Sequence, residues 1–229
     1  MSNSTIHVKI KRDIMKDAWN WWEACNHISY GTDWKKRVPQ KIWEEIHGKT
    51  FREACDFLLP YLRRYYKEHD KELRLISKEV QSLFTQYGQE ACILMEDVTK
   101  HPLYRKSFTC FLTTFPRCPY SFQKGYVWLC ASWPAKCYLG TFLHELLHFQ
   151  FFAYYQNRKT VKKLSLEQKE ILKESLTVIL NNEFLPYLCQ KDKGYIPHQA
   201  LRKQLSKFWS QNKNLDALID FGVRLLTKK

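Results

Sequence analysis

The sequence predicts an α+β protein that is mostly helix, with one small antiparallel sheet. Glycine is scarce, at 7 in 229 residues. Apolar residues recur at three- and four-residue steps through most of the chain, as the buried face of a helix requires. Two short runs rich in strand formers, around residues 107–114 and 125–132, interrupt that pattern midway. An apolar fraction of 45% is enough for a real core, and aromatic residues are abundant at 15%.

Residues from about Lys11 to Ser29 read as a helix, with Ala18, Trp21, Trp22 and Cys25 on a broad apolar face. Gly31-Thr32-Asp33 breaks it. Pro39 suits the first turn of the next helix, which carries Ile42, Trp43 and Ile46 and stops at Gly48. Thr50 with Glu53 forms a capping box and opens a helix through Phe57, Leu58 and Tyr61, which Pro60 must kink or split. A longer helix spans roughly Glu72 to Thr99. Its apolar positions Ile76, Val80, Leu83, Tyr87, Ala91 and Leu94 step by three and four, and Gly88 is its weak point.

After His101-Pro102 the pattern changes. Ser107–Thr114 and Gly125–Ser132 have strand composition, Pro116 and Pro119 force irregular backbone between them, and the spacing predicts an antiparallel hairpin. Pro134 leads into a helix that runs to about Tyr155. Ser165 with Gln168 is a second capping box; it starts a helix through Ile171, Leu172, Leu176, Ile179 and Leu180, which Pro186 kinks or ends. Gly194–His198 is a turn, and two amphipathic helices, near Ala200–Trp209 and Leu215–Leu226, follow it. Residues 1–75 are then an N-terminal helical segment and residues 76–229 the core, unless both belong to one domain.

The stretch before Tyr155 carries the chemistry. It contains His144-Glu145-Leu146-Leu147-His148. At about 100° per residue the two histidines lie one above the other, one turn apart, so both imidazoles can reach one metal ion. Glu145 flanks that line, close enough to take a proton from a metal-activated water. Phe142, Leu146, Leu147 and Phe149 surround the motif, so the helix is buried. A buried polar group without a partner costs a few kcal/mol, and a zinc ion removes that cost by turning the imidazoles into ligands.

A catalytic zinc takes a third protein ligand, commonly a carboxylate beside two histidines. The following helix offers four. Glu167 lies in its first turn, where it complements the helix dipole. Glu170 points away from the apolar face and should be solvated. Glu174, one turn from both Ile171 and Val178, stands at the border of the buried face and is the assigned ligand. Glu183 also faces the apolar side but sits near Pro186; it is the alternative.

Net charge is +14, the difference between 37 basic and 23 acidic residues. Such a surface attracts acidic partners, but the basic residues are scattered and no nucleic-acid motif stands out, so nucleic acid is not the favoured partner. No run of 18 apolar residues exists, and Met1–Lys9 lacks the apolar stretch of a signal peptide. The 8 cysteines include no Cys-x-x-Cys pair. They are expected to be free thiols in a cytoplasmic protein.

The order of short strands, His-Glu-x-x-His helix and second helix with an acidic ligand resembles the zincin metallopeptidases. Within them it resembles the thermolysin-like gluzincins, compact minigluzincins above all. The likeness covers about Ile76 to Tyr187 and is sharpest at His144–His148. It implies zinc held by His144, His148 and Glu174, Glu145 as general base, and hydrolysis of peptide bonds. It also implies that Tyr126–Ser132 is the edge strand along which an extended peptide substrate pairs. The oxygen of the scissile carbonyl needs a second donor, for which His198, Tyr195 and Tyr155 are candidates. His198 is preferred, since gluzincins place a comparable histidine after the second helix. One departure stands out: gluzincins often carry Glu-x-x-x-Asp on that helix, and here Val178 follows Glu174. The carboxylate behind a zinc-bound imidazole must then come from Glu170 or Asp192, or be absent. Peptide deformylases share His-Glu-x-x-His with a cysteine ligand, a part open to Cys130 or Cys137, but their glycine-rich motifs are missing. Two other functions compete: a non-catalytic basic module binding nucleic acid or acidic protein, and a metal hydrolase with a non-peptide substrate.

Overall fold

The computed structural model describes residues 5–27 and 33–227. The helix end expected at Ser29 and the break at Gly31-Thr32 lie outside the described residues. The chain forms two units. One comprises Met1–His7, Leu83–Lys106 and Lys136–Lys229; the other comprises Val8–Ser82 and Ser107–Ala135. In this division the strands fall with the N-terminal helices.

The second unit holds the sheet and the first four α-helices. Strand β1 (His7–Arg12) precedes α1 (Ile14–Asn26), α2 (Gln40–Ile46), α3 (Phe51–Glu68) and α4 (Asp70–Leu83). Asp13 caps α1 by accepting from the amides of Met15 and Lys16. Thr50 and Glu53 make the expected reciprocal capping box on α3, which runs through Pro60 without dividing. Trp21, Ile42, Ile46, Leu58, Leu62 and Phe115 are among the buried side chains of this unit's core.

Strands β2 (Ser107–Thr113), β3 (Tyr120–Ser121) and β4 (Tyr126–Cys130) complete a sheet of order β1-β2-β4-β3. The antiparallel hairpin expected between the two long strands is corrected: β2 and β4 run parallel, with Thr109 opposite Tyr126 and Thr113 opposite Cys130. The connection is long enough to reverse twice. It passes the prolines, runs back as β3 antiparallel to β4, and turns at Gly125, whose amide donates to Phe122 O. The hairpin is thus β3–β4 and the sheet is mixed. Two strands of similar composition at that spacing fit either arrangement, because a crossover needs about a dozen residues and the loop supplies them. The edge-strand assignment of Tyr126–Ser132 is corrected as well. β4 lies between β2 and β3, Tyr126 and Val127 face Ser121 and Tyr120, and the Trp128 amide donates to Pro119 O.

β1, unforeseen, has a legible signature in hindsight. Val8 and Ile10 alternate with His7, Lys9 and Lys11, and exposure along the strand alternates with them.

α1 is fastened to the end of β2 by one buried carboxylate. Asp17 accepts from the Thr113 hydroxyl (2.6 Å), the Thr114 amide (2.9 Å), the Thr114 hydroxyl (2.8 Å) and Tyr66 Oη (3.2 Å). Burial outweighs these donors and raises its pKa from 3.8 to about 6. Between those values the folded state keeps a proton that the unfolded state has lost. Stability from this group is therefore full below pH 4 and falls as pH rises through 6, by ~3 kcal/mol at about 1.4 kcal/mol per pH unit. Asp17→Asn keeps the shape, and its amide can donate to the two hydroxyls. Urea titrations should show the variant gaining on the wild type by about 2–3 kcal/mol between pH 4 and pH 7. Parallel pH profiles would show that Asp17 is not the titrating group.

The first unit carries the helices after α4. A π-helical turn, Phe84–Gly88, precedes α5 (Gln89–Thr99), so the helix expected to end at Thr99 does end there, with its one irregularity at Gly88. α6 (Cys137–Gln150) continues through a π turn to Tyr155. Then follow α7 (Lys159–Lys162), α8 (Leu166–Leu176), a 3₁₀ turn, α9 (Leu180–Glu183), α10 (Gln199–Asn212) and α11 (Leu215–Thr227). No helix among the described residues is long and apolar enough to cross a membrane.

Cys137 and Cys189 form a disulfide, with Cα atoms 4.8 Å apart, which corrects the expectation of free thiols for this pair. Fifty-two positions separate them in sequence, and proximity across that distance cannot be read from spacing. Cys25, Cys55, Cys92, Cys110, Cys118 and Cys130 are in no disulfide among the described residues.

Candidate metal centre

α6 is apolar nearly all round and buried over most of its length, with Phe142, Leu143, Leu146 and Phe149 fully covered. That burial locks the helix axis and, with it, the row of His144 and His148. α8 begins at the Ser165–Gln168 capping box and brings Glu174 in from the facing side. Glu174 is 5% exposed and His148 1%.

The three side chains meet. His144 Nε2 is 3.0 Å from His148 Nε2 and 3.6 Å from Glu174 Oε2, and His148 Nε2 is 3.3 Å from Glu174 Oε1. Zinc bonds of about 2.0–2.1 Å at tetrahedral angles put neighbouring ligand atoms roughly 3.3 Å apart. The observed separations bracket that edge length. These are the only three described residues that form such a His, Cys or carboxylate cluster, with ligand atoms all within 4.8 Å of one another.

Glu145, beside them, is 7% exposed, and its Oε2 has no hydrogen-bond partner among the described residues. Burial raises its pKa to about 7. Burial likewise lowers His148, to about 4. For His144 burial acts the same way but is overcome by Asp192, and the pKa ends well above the ordinary value. Burial pushes Glu174 upward, yet the adjoining imidazoles hold it far below the usual carboxylate range and keep it ionised.

Of the two carboxylates considered for support of an imidazole, Asp192 is the one in place. His144 Nδ1 donates to Asp192 Oδ2 at 3.1 Å, which leaves Nε2 facing the cluster. The Asp192 backbone is held on both sides: its amide donates to Asn181 Oδ1 (2.7 Å) and its carbonyl accepts from Asn181 Nδ2 (2.8 Å) and Arg202 (2.7 Å). Arg202, 3% exposed, also donates to Glu174 O and to the Thr177 hydroxyl, joining the end of α8 to the Asp192 loop. Gly194 makes this possible. Its φ is +58°, and a Cβ there would lie 2.7 Å from the Arg202 guanidinium. Asp192→Ala should weaken zinc affinity by about 10–100-fold, measured by chelator competition. Unchanged affinity would remove Asp192 from the centre.

The remaining candidates separate cleanly. Glu183 accepts from Trp209 Nε1 (2.7 Å) and from the Lys213 ammonium, so it is engaged elsewhere and is not part of the cluster. Glu170, expected to be solvated, is instead 2.5 Å from the ammonium of the buried Lys173. Tyr155 is corrected as a donor to substrate: it is buried and its hydroxyl donates to Thr99 O at 2.8 Å. Tyr195 and His198 stand with ring centroids 5.6 Å apart, and Glu174's charge bears on both. His198 is 8% exposed, and its Nδ1 has no hydrogen-bond partner among the described residues. Cys137 is in the disulfide, and Cys130, in the other unit, contacts the Ser132 hydroxyl at 3.1 Å.

No family model, curated protein or solved structure matches the chain. The zincin resemblance thus rests on the His-Glu-x-x-His motif and the order of elements in the sequence. Sequence reasoning missed Arg202 and Lys173 entirely. A single Arg or Lys in an amphipathic helix carries no mark of burial, and only the packing of α8, α10 and the Asp192 loop reveals it.

Proposed function

We propose that this protein is a zinc-dependent peptidase, with zinc held by His144, His148 and Glu174 and with Glu145 as general base. The observation that carries the proposal is the meeting of two imidazole nitrogens and one carboxylate beside a buried carboxylate oxygen without a hydrogen-bond partner among the described residues. Charge supports it. The carboxylates Glu145, Glu170, Glu174 and Asp192 outnumber the cationic side chains Lys173 and Arg202 around the cluster, which suits a divalent cation.

Zinc supplies Lewis acidity at such a site, polarising a carbonyl and making a water more acidic. The protein's own groups do the rest. Asp192 fixes the tautomer and ring orientation of His144. Glu145, raised towards neutrality by burial, accepts a proton near the pH of use and can return it to the leaving amine. His198, with a buried nitrogen that has no hydrogen-bond partner among the described residues, and Tyr195 beside it are the donors assigned to the carbonyl oxygen.

The test is elemental analysis of the purified full chain together with cleavage of a mixed fluorogenic peptide library. One zinc per chain, and hydrolysis that chelator removes and zinc restores, is the expected result. Bound zinc without hydrolysis of any peptide would point to a non-peptide substrate. Salt-dependent DNA affinity with neither zinc nor hydrolysis would return the protein to the class of basic binding modules.

A further inference from the structure

Lys173 is a charged group at the centre to which the peptidase chemistry gives no part. It is 1% exposed, and lysine is almost never so buried unless paired. Its stem borders a small apolar void lined also by Leu147, Phe151 and Leu176. Its ammonium lies 2.5 Å from Glu170 Oε2 and 3.3 Å from Glu174 Oε1, and 5.4 Å from the centroid of the Phe152 ring. Glu170 is the ordinary partner, one turn back on the same helix. Glu174 is not. Adjacent residues on a helix point about 100° apart, so contact between the Lys173 and Glu174 side chains needs both to converge on one point. That point is Glu174 Oε1, which also lies 3.3 Å from His148 Nε2.

The two oxygens of Glu174 are therefore inequivalent. Oε1 faces the ammonium as well as His148; Oε2 faces His144. We propose that Lys173 is a positioning residue: its ammonium holds Oε1 of Glu174, so that the carboxylate ligates zinc through one oxygen and a coordination position stays open for water and substrate. This rests on the assignment of His144, His148 and Glu174 as ligands. Three protein donor atoms with one open position is the pattern of catalytic rather than structural zinc. A carboxylate released to bind through both oxygens would occupy the open place.

Cobalt(II) reports coordination number through its visible spectrum, with no need of activity. The full chain is titrated with Co2+ as wild type, Lys173→Arg, Lys173→Met, and Lys173→Met with Glu170→Gln, which spares the half-buried Glu170 an unpaired charge. The wild type and Lys173→Arg should show the intense band of four-coordinate cobalt. Both methionine variants should bind Co2+ with a band roughly two- to threefold weaker, as coordination expands. If Lys173→Met does not fold by circular dichroism, the double variant carries the comparison. A Lys173→Met or double-variant spectrum that superimposes on wild type overturns the inference while leaving the metal centre intact. A wild type that takes up no Co2+ overturns both.

Discussion

Glu174→Ala is expected to abolish stoichiometric zinc binding, while Glu183→Ala leaves it unchanged. Glu174 supplies the only carboxylate of the cluster, with its oxygens 3.3 and 3.6 Å from the two imidazole nitrogens. Removing it leaves two neutral ligands and takes away the negative charge that favours a dication. Loss of an outer partner costs about 10–100-fold in affinity, so loss of a direct ligand should exceed that, at ~10³-fold or more. The variant should fold, because Lys173 retains Glu170 as partner and Glu174 does not fill the apolar core. Glu183 lies on α9, where it binds Trp209 and Lys213; its removal should lower stability slightly and touch no ligand. Zinc content after dialysis against a weak chelator distinguishes the two. If Glu174→Ala retains full zinc, the ligand set is wrong.

Glu145→Gln should keep its zinc and lose hydrolysis by about 10²–10⁴-fold, the range that a positioned general base contributes. Glu145 is not among the three converging side chains, so metal content should not change. Its Oε2 is buried without a hydrogen bond among the described residues, and an amide of the same shape fits there but cannot take a proton. The loss should fall on kcat, because proton transfer belongs to the transition state and not to substrate binding. Equal turnover by the two proteins, at equal zinc content, would remove Glu145 from the mechanism.

The helices and the metal motif were legible in the sequence because both follow from local rules. A 3.6-residue period sets Glu145 beside the His144–His148 row whatever the rest of the chain does, and the same period put Glu174 at the border of the buried face of α8. Capping boxes at Thr50–Glu53 and Ser165–Gln168 marked helix starts, since each pair satisfies its own backbone amides. What joins distant parts of the chain was not legible. Strand direction in β2 and β4 depended on the path of the loop between them, not on their composition. The partner of His144 could be Glu170 or Asp192 by sequence; Asn181 and Arg202 decide for Asp192 by holding its backbone, and Gly194 admits the guanidinium. Glu183 was excluded by the indole and ammonium that claim it, and Tyr155 by a carbonyl on α5. Periodicity decides which way a side chain points from its own helix, but a polar group's role is set by what it meets there. That is a property of packing between segments, and only the tertiary structure contains it.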